Sequence, residues 1–78
     1  METTLIEPRR MREERGLTQI QLSFDADISL STVQKFETGK LASPSLRTKV
    51  KLASAYRVQI DQINAYIESF SETSPQAA

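Results

Sequence analysis

The chain has no cysteine and no histidine. Without cysteine there is no disulfide framework, no thiolate metal site and no redox pair. Without histidine it lacks the commonest general base, the usual zinc ligand and the centre of a Ser-His-Asp triad. Glycine and proline are scarce, two and three residues in 78, too few for a β-protein built on many tight turns. No apolar run approaches the roughly 20 residues of a membrane span, and no apolar stretch of the signal-peptide kind follows Met1. Phosphate-binding glycine loops and clustered carboxylates are missing too. Glu13 and Glu14 are adjacent, so on a helix they point apart. The expectation is therefore no catalytic residue, no metal, no cofactor and no membrane partner. What remains is a cytoplasmic binding module, a single all-α domain whose 38% hydrophobic residues suffice for one modest core.

Charge of one sign is missing overall, because ten basic residues balance ten acidic ones. The balance is uneven along the chain. Residues 30–57 carry Lys35, Lys40, Arg47, Lys49, Lys51 and Arg57 against Glu37 alone, whereas residues 58–78 carry Asp61, Glu68 and Glu72 and no base. A phosphate backbone responds to charge within about a Debye length, roughly 8–10 Å, so a local basic surface matters more to it than the sum.

Start and stop signals divide the chain into five short helices. Pro8 suits a first helical position, with Ile6 able to staple onto Met11, and Gly16 suits the stop after Arg15. Thr18-Gln19-Ile20-Gln21 is a capping box that opens a second helix ending near Ala26-Asp27. Its inward residues are expected to be Leu22 and Ala26, flanked by Ile20 or Phe24. Ser29 is the expected N-cap of a third helix that turns Val33 and Phe36 inward and ends at Thr38-Gly39. After a polar loop, Ser45 should cap a fourth helix reaching Tyr56, with Leu46, Val50 and Ala53 as its buried stripe. A fifth helix covers about residues 60–70. The domain is thus expected over residues 1–70, with residues 71–78 a flexible tail.

Helices two and three, joined by a turn of about three residues, form a helix-turn-helix, whose second helix can enter a DNA major groove about 12 Å wide. The order Met11-Arg12-Glu13-Glu14-Arg15-Gly16-Leu17-Thr18-Gln19, Leu22, Ala26, Ile28-Ser29, Ser31-Thr32-Val33, Glu37, Gly39-Lys40, Pro44-Ser45-Leu46 and Lys51-Leu52-Ala53 resembles the Cro and phage-repressor, or XRE, type of helix-turn-helix. The resemblance covers roughly residues 5–67 and implies a compact five-helix, lambda-repressor-like fold. It implies double-stranded DNA as partner, with Leu30, Ser31, Gln34 and Lys35 approaching base edges. By the same resemblance Thr18, Gln19, Thr32, Thr38 and Lys40 contact phosphates, and Arg12 and Glu37 form an ion pair between the first and third helices. Four positions depart from the family pattern. Asp27 and Arg57 stand where glycine usually closes a left-handed turn, Pro8 where an aliphatic side chain is usual, and Gln59 where a better N-cap is usual.

Ile60, Ile63, Ile67 and Phe70 fall at i, i+3, i+7 and i+10, a narrow apolar seam with Tyr66 beside it. The seam either packs on helices one and four or in part meets a second copy. These five residues are therefore the expected interface of a homodimer, which would set two reading helices about one DNA turn apart, roughly 34 Å, on a near-palindromic operator. The expected function is a sequence-specific transcriptional regulator, a repressor by occlusion. The alternative is an antitoxin-like module that uses the same domain to hold a protein partner.

Overall fold

Side-chain caps fix where three of the five helices begin. In the computed structural model, which describes residues 5–71, the helices are α1 (Pro8–Glu14), α2 (Gln19–Ala26), α3 (Leu30–Glu37), α4 (Leu46–Tyr56) and α5 (Ile60–Ser71). Thr18 accepts from the Gln21 N–H at 3.1 Å while the Gln21 side chain accepts from the Thr18 N–H at 2.8 Å, a complete capping box. Ser29 and Ser45 each accept from the backbone N–H three residues on, Thr32 and Thr48. Gln59 lacks a capping side chain of the usual kind, but Gln62 reaches back to accept from the Gln59 N–H at 3.0 Å. Pro8 occupies the first helical position of α1 and is buried.

The helix ends share one device. After each of α1 to α4, two crossed backbone bonds satisfy carbonyls that the helix leaves unpaired: Leu17 and Gly16 to Arg12 and Glu13, Ile28 and Asp27 to Ser23 and Phe24, Lys40 and Gly39 to Lys35 and Phe36, Val58 and Arg57 to Ala53 and Ser54. The residue at the turning point has positive φ each time: Gly16 at 72°, Asp27 at 58°, Gly39 at 75° and Arg57 at 60°. The two departures from glycine thus keep the left-handed turn. Asp27 also gains a partner, since Lys51 Nζ donates to its backbone carbonyl at 3.0 Å and its carboxylate at 3.1 Å, fastening the end of α2 to α4.

The core lies where α2 to α5 meet. Leu22, Val33, Phe36, Leu52, Ala53, Tyr56, Ile63 and Tyr66 are its buried hydrophobic members, and Ile6, Leu17, Ile28, Leu41, Ile60 and Ile67 pack around them. Phe36 sits between two tyrosines, its ring centroid 5.3 Å from Tyr56 and 4.9 Å from Tyr66. Three expectations need correction. On α4 the buried stripe is Leu52, Ala53 and Tyr56, while Leu46 and Val50 are exposed. Leu46–Val50 and Leu52–Tyr56 have the same i, i+4 spacing, and the larger pair, whose hydroxyl finds an acceptor inside, takes the core. On α2, Ile20 and Phe24 point outward, Phe24 at 79% exposure, and Ser23 is buried instead, its hydroxyl donating to the Ile20 carbonyl at 2.7 Å. On α5, Ile63 and Tyr66 belong to the monomer's own core. The C-terminal tail expected over residues 71–78 lies, beyond Ser71, outside the described residues.

Arg57 pays a steric penalty in its left-handed turn that glycine would not. Replacing it, Arg57→Gly, is expected to raise stability by about 1 kcal/mol in urea denaturation. A loss of stability would refute the strain argument.

Candidate nucleic-acid interface

The third helix divides cleanly into an inner and an outer face. Val33 and Phe36 are fully buried; Ser31, Gln34 and Lys35 are exposed and Leu30 is half-buried at the N-terminal end. All four residues expected to read bases therefore share a helix whose apolar side anchors it to the core. The residues expected at phosphates are more varied in position. Thr18, Gln19 and Thr38 line one open depression of about 460 Å³, together with Leu17 and the ion-paired Arg9, Glu13, Arg12 and Glu37. Thr32 and Lys40 do not line it. All three threonine hydroxyls are engaged locally: Thr18 accepting from the Gln21 N–H at 3.1 Å, Thr32 with Ser29 at 2.8 Å, and Thr38 donating to the Gln34 carbonyl at 2.9 Å. Lys40 is exposed just beyond α3.

Behind α3 lies a polar centre around Glu37. Arg12 Nε donates to its Oε2 at 2.7 Å and Arg12 Nη2 to its Oε1 at 3.0 Å, a two-pronged ion pair with side chains 8% and 2% exposed. Gln19 Nε2 donates to Oε1 at 3.0 Å and the Tyr56 hydroxyl to Oε2 at 2.8 Å. The remaining Arg12 nitrogen, Nη1, donates to the Leu17 carbonyl at 2.8 Å, and the Tyr66 hydroxyl donates to the Glu37 carbonyl at 3.2 Å. One residue of α3 thus gathers partners from each of the four other helices. No buried side-chain nitrogen or oxygen among the described residues lacks a partner.

The resemblance named Arg12 and Glu37 but not the tyrosines, nor the Gln19 side chain turned inward. A signal existed: a buried carboxylate must fill its four lone-pair sites, and Tyr56 and Tyr66 are the chain's two tyrosines. Burial works against the Glu37 charge, yet hydrogen bonds from Arg12, Gln19 and Tyr56 outweigh it and hold the carboxyl below its ordinary range. The Glu37 hydrogen bond holds Arg12 above its usual value against burial. Burial, then the nearby Glu37 charge, pushes Tyr56 and Tyr66 upward.

A family model described as helix-turn-helix matches residues 9–63, from α1 into α5. The chain belongs to the helix-turn-helix family, of the XRE type. It is also 34% identical over 73 residues to RghRB of Bacillus subtilis (strain 168), a protein named as an uncharacterized HTH-type transcriptional regulator. That match takes in 90% of this chain and 52% of the relative, so the chain spans about half the relative's length. No solved structure matches it significantly. As in the family pattern, the helix-turn-helix here is α2, the Asp27–Ser29 turn and α3. Among the described residues no acidic group of side chains could hold a metal ion, and no helix is long and apolar enough to cross a membrane.

Removing one side of the ion pair leaves the other charge buried and unmatched. Arg12→Ala is therefore expected to cost about 3–5 kcal/mol in chemical denaturation; a loss below about 1 kcal/mol would mean the pair is solvated in solution. The tyrosines give a pH limit. Their folded pKa values lie above the ordinary 10.0, so their stabilisation is complete below about pH 10 and is lost as pH rises beyond it. Tyrosinate absorbance near 295 nm should therefore rise at higher pH in the folded protein than in the urea-unfolded chain. An equal midpoint in both would contradict the burial described above.

Proposed function

We propose that the chain is a sequence-specific DNA-binding transcriptional regulator, not an enzyme, that works in the cytoplasm by laying α3 in the major groove. The single observation that carries this reading is the outer face of α3, where Ser31, Gln34 and Lys35 stand exposed together above a fully buried Val33 and Phe36. A lysine can donate to guanine O6 or N7, a glutamine can bond adenine in both senses, and Leu30 can meet a thymine methyl. Thr18, Gln19 and Thr38 around one depression, with Thr32 and Lys40 nearby in sequence, are proposed to hold phosphates. The N-terminus of α2 favours an anion at the same place. Gln19 can serve both partners: one amide hydrogen is given to Glu37 and the other remains for a phosphate oxygen.

The regulator is proposed to act as a homodimer and to repress by occluding the promoter. With Ile63 and Tyr66 inside the monomer, a second copy would use the edge of α5 that Ile60, Ile67 and Phe70 leave accessible. The name of the Bacillus relative agrees with regulation. A protein-binding role is the second reading, favoured by Ile20 and Phe24 standing exposed one turn apart on α2.

Selection of bound duplexes from a random pool tests the proposal. Two inverted half-sites about one helical turn apart are expected; a lone half-site would remove the dimer, and no enrichment would favour the protein-binding role. On the selected site, Lys35→Ala should lose about 1–3 kcal/mol of discrimination at one position. Lys40→Ala should instead weaken binding to all sequences alike and reduce the salt slope by about 1. Equal effects of both changes on every sequence would show that α3 does not read bases.

A further inference from the structure

The C-terminal end of α3 is held from outside the helix-turn-helix. A helix of this kind leaves its last four carbonyls without intrahelical partners. Three of them are satisfied within a few residues: Gln34 by the Thr38 N–H and hydroxyl, Phe36 by the Gly39 N–H at 3.3 Å, and Lys35 by the Lys40 N–H at 2.8 Å. The fourth, Glu37, receives its hydrogen bond from the Tyr66 hydroxyl of α5. One turn further along α5, the Phe70 ring lies flush against Gly39. A Cβ built on Gly39 would collide with that ring, its Cζ being 2.7 Å away. Tyr66 and Phe70 brace each other edge to face at 5.1 Å, and Tyr66 in turn packs on Phe36 at 4.9 Å.

We propose that Tyr66 and Phe70 are positioning residues for DNA reading: α5, which lies behind the interface, clamps the last turn of α3 and the 38–40 turn, and so sets where Gln34, Lys35 and Lys40 stand relative to the helix start. The consequence for DNA rests on the reading given under Proposed function. The geometry requires it to act at one end. Ser29 fixes the start of α3 through the Thr32 N–H, and the clamp fixes the finish, so the angle at which the helix presents its outer face is defined at both ends. Phe70, expected at a dimer interface, therefore has an intramolecular task, at 42% exposure.

Two variants of the full chain separate this role from ordinary core stability. Tyr66→Phe keeps both ring contacts and removes only the hydroxyl; Phe70→Ala removes the ring over Gly39. Amide hydrogen exchange by NMR should accelerate at Gly39 and Lys40 in both variants, with Leu22 and Leu52 unchanged. A merely structural role would accelerate all four together. The ratio of affinities for the selected site and a scrambled duplex should narrow by about fivefold in Tyr66→Phe, the size expected of one neutral hydrogen bond, with affinity for the scrambled duplex unchanged. The proposal is overturned if the turn exchanges no faster in either variant, or if it does while the ratio stays that of wild type. A wild type that binds no duplex would sink the DNA reading, and the exchange measurement would still decide whether α5 holds the turn.

Discussion

The fold depends on keeping one carboxylate charged in the interior. Glu37 sits at the end of α3 with its side chain almost wholly out of water, and an isolated ion there would cost several kcal/mol. Its four side-chain hydrogen bonds, two from Arg12 and one each from Gln19 and Tyr56, come from α1, α2 and α4. Satisfying the charge therefore obliges three helices to meet at the back of the fourth. An apolar replacement of similar volume could supply as much stability, but no comparable restriction of direction. The hydrogen bonds specify where α3 lies; the hydrophobic core around Phe36, Leu52 and Ile63 supplies most of the driving force.

A second constraint is economy of chain. Loops of a few residues connect α1 to α2, α2 to α3 and α4 to α5, and each must reverse direction without leaving carbonyls unpaired. The repeated left-handed closure does this in the fewest residues. Glycine makes it at Gly16 and Gly39. At Gly39 a Cβ would collide with the Phe70 ring as it stands, so any other residue would have to displace that ring, whereas at Gly16 a Cβ would meet nothing within 4 Å and only the backbone conformation calls for glycine. Asp27 and Arg57 show that conformation alone does not forbid a side chain where the space is open.

Much of this was legible in the sequence because helix ends are local events. Thr18, Ser29 and Ser45 announce their caps within four residues, and the five helices fall where such signals put them. Faces were less legible. The pair Leu46–Val50 and the pair Leu52–Tyr56 have equal periodicity, and what favours the second is its larger apolar surface and an acceptor for Tyr56 on Glu37, far away in sequence. The same holds for α5: its apolar seam is real, but a chain of this size uses Ile63 and Tyr66 to close its own core before offering anything to a second copy. The outward Phe24 was equally hidden, since Ser23 buries beside it by returning its hydroxyl to the helix backbone. For the interface, the exposed edge of α3 followed from its pattern, while the two tyrosines behind Glu37 form long-range contacts that periodicity does not reveal.

The same pairing explains how a chain with no net charge can face a polyanion. Arg9 and Arg10 are matched within α1 by Glu13 and Glu14, Arg12 by Glu37, and Lys51 by Asp27. These pairs remove much of the acidic charge from play along with the basic charge. Lys35, Lys40, Arg47 and Lys49 make no ion pair among the described residues, and all four lie on α3, the following loop or the first half of α4. The surface pairs on α1 add little stability, a few tenths of a kcal/mol each, so their effect is mainly on the field. They leave uncompensated the positive charge of Lys35, Lys40, Arg47 and Lys49, together with that of Arg15 and Arg57, and within a Debye length such a local excess, not the balanced total, is what a phosphate backbone meets.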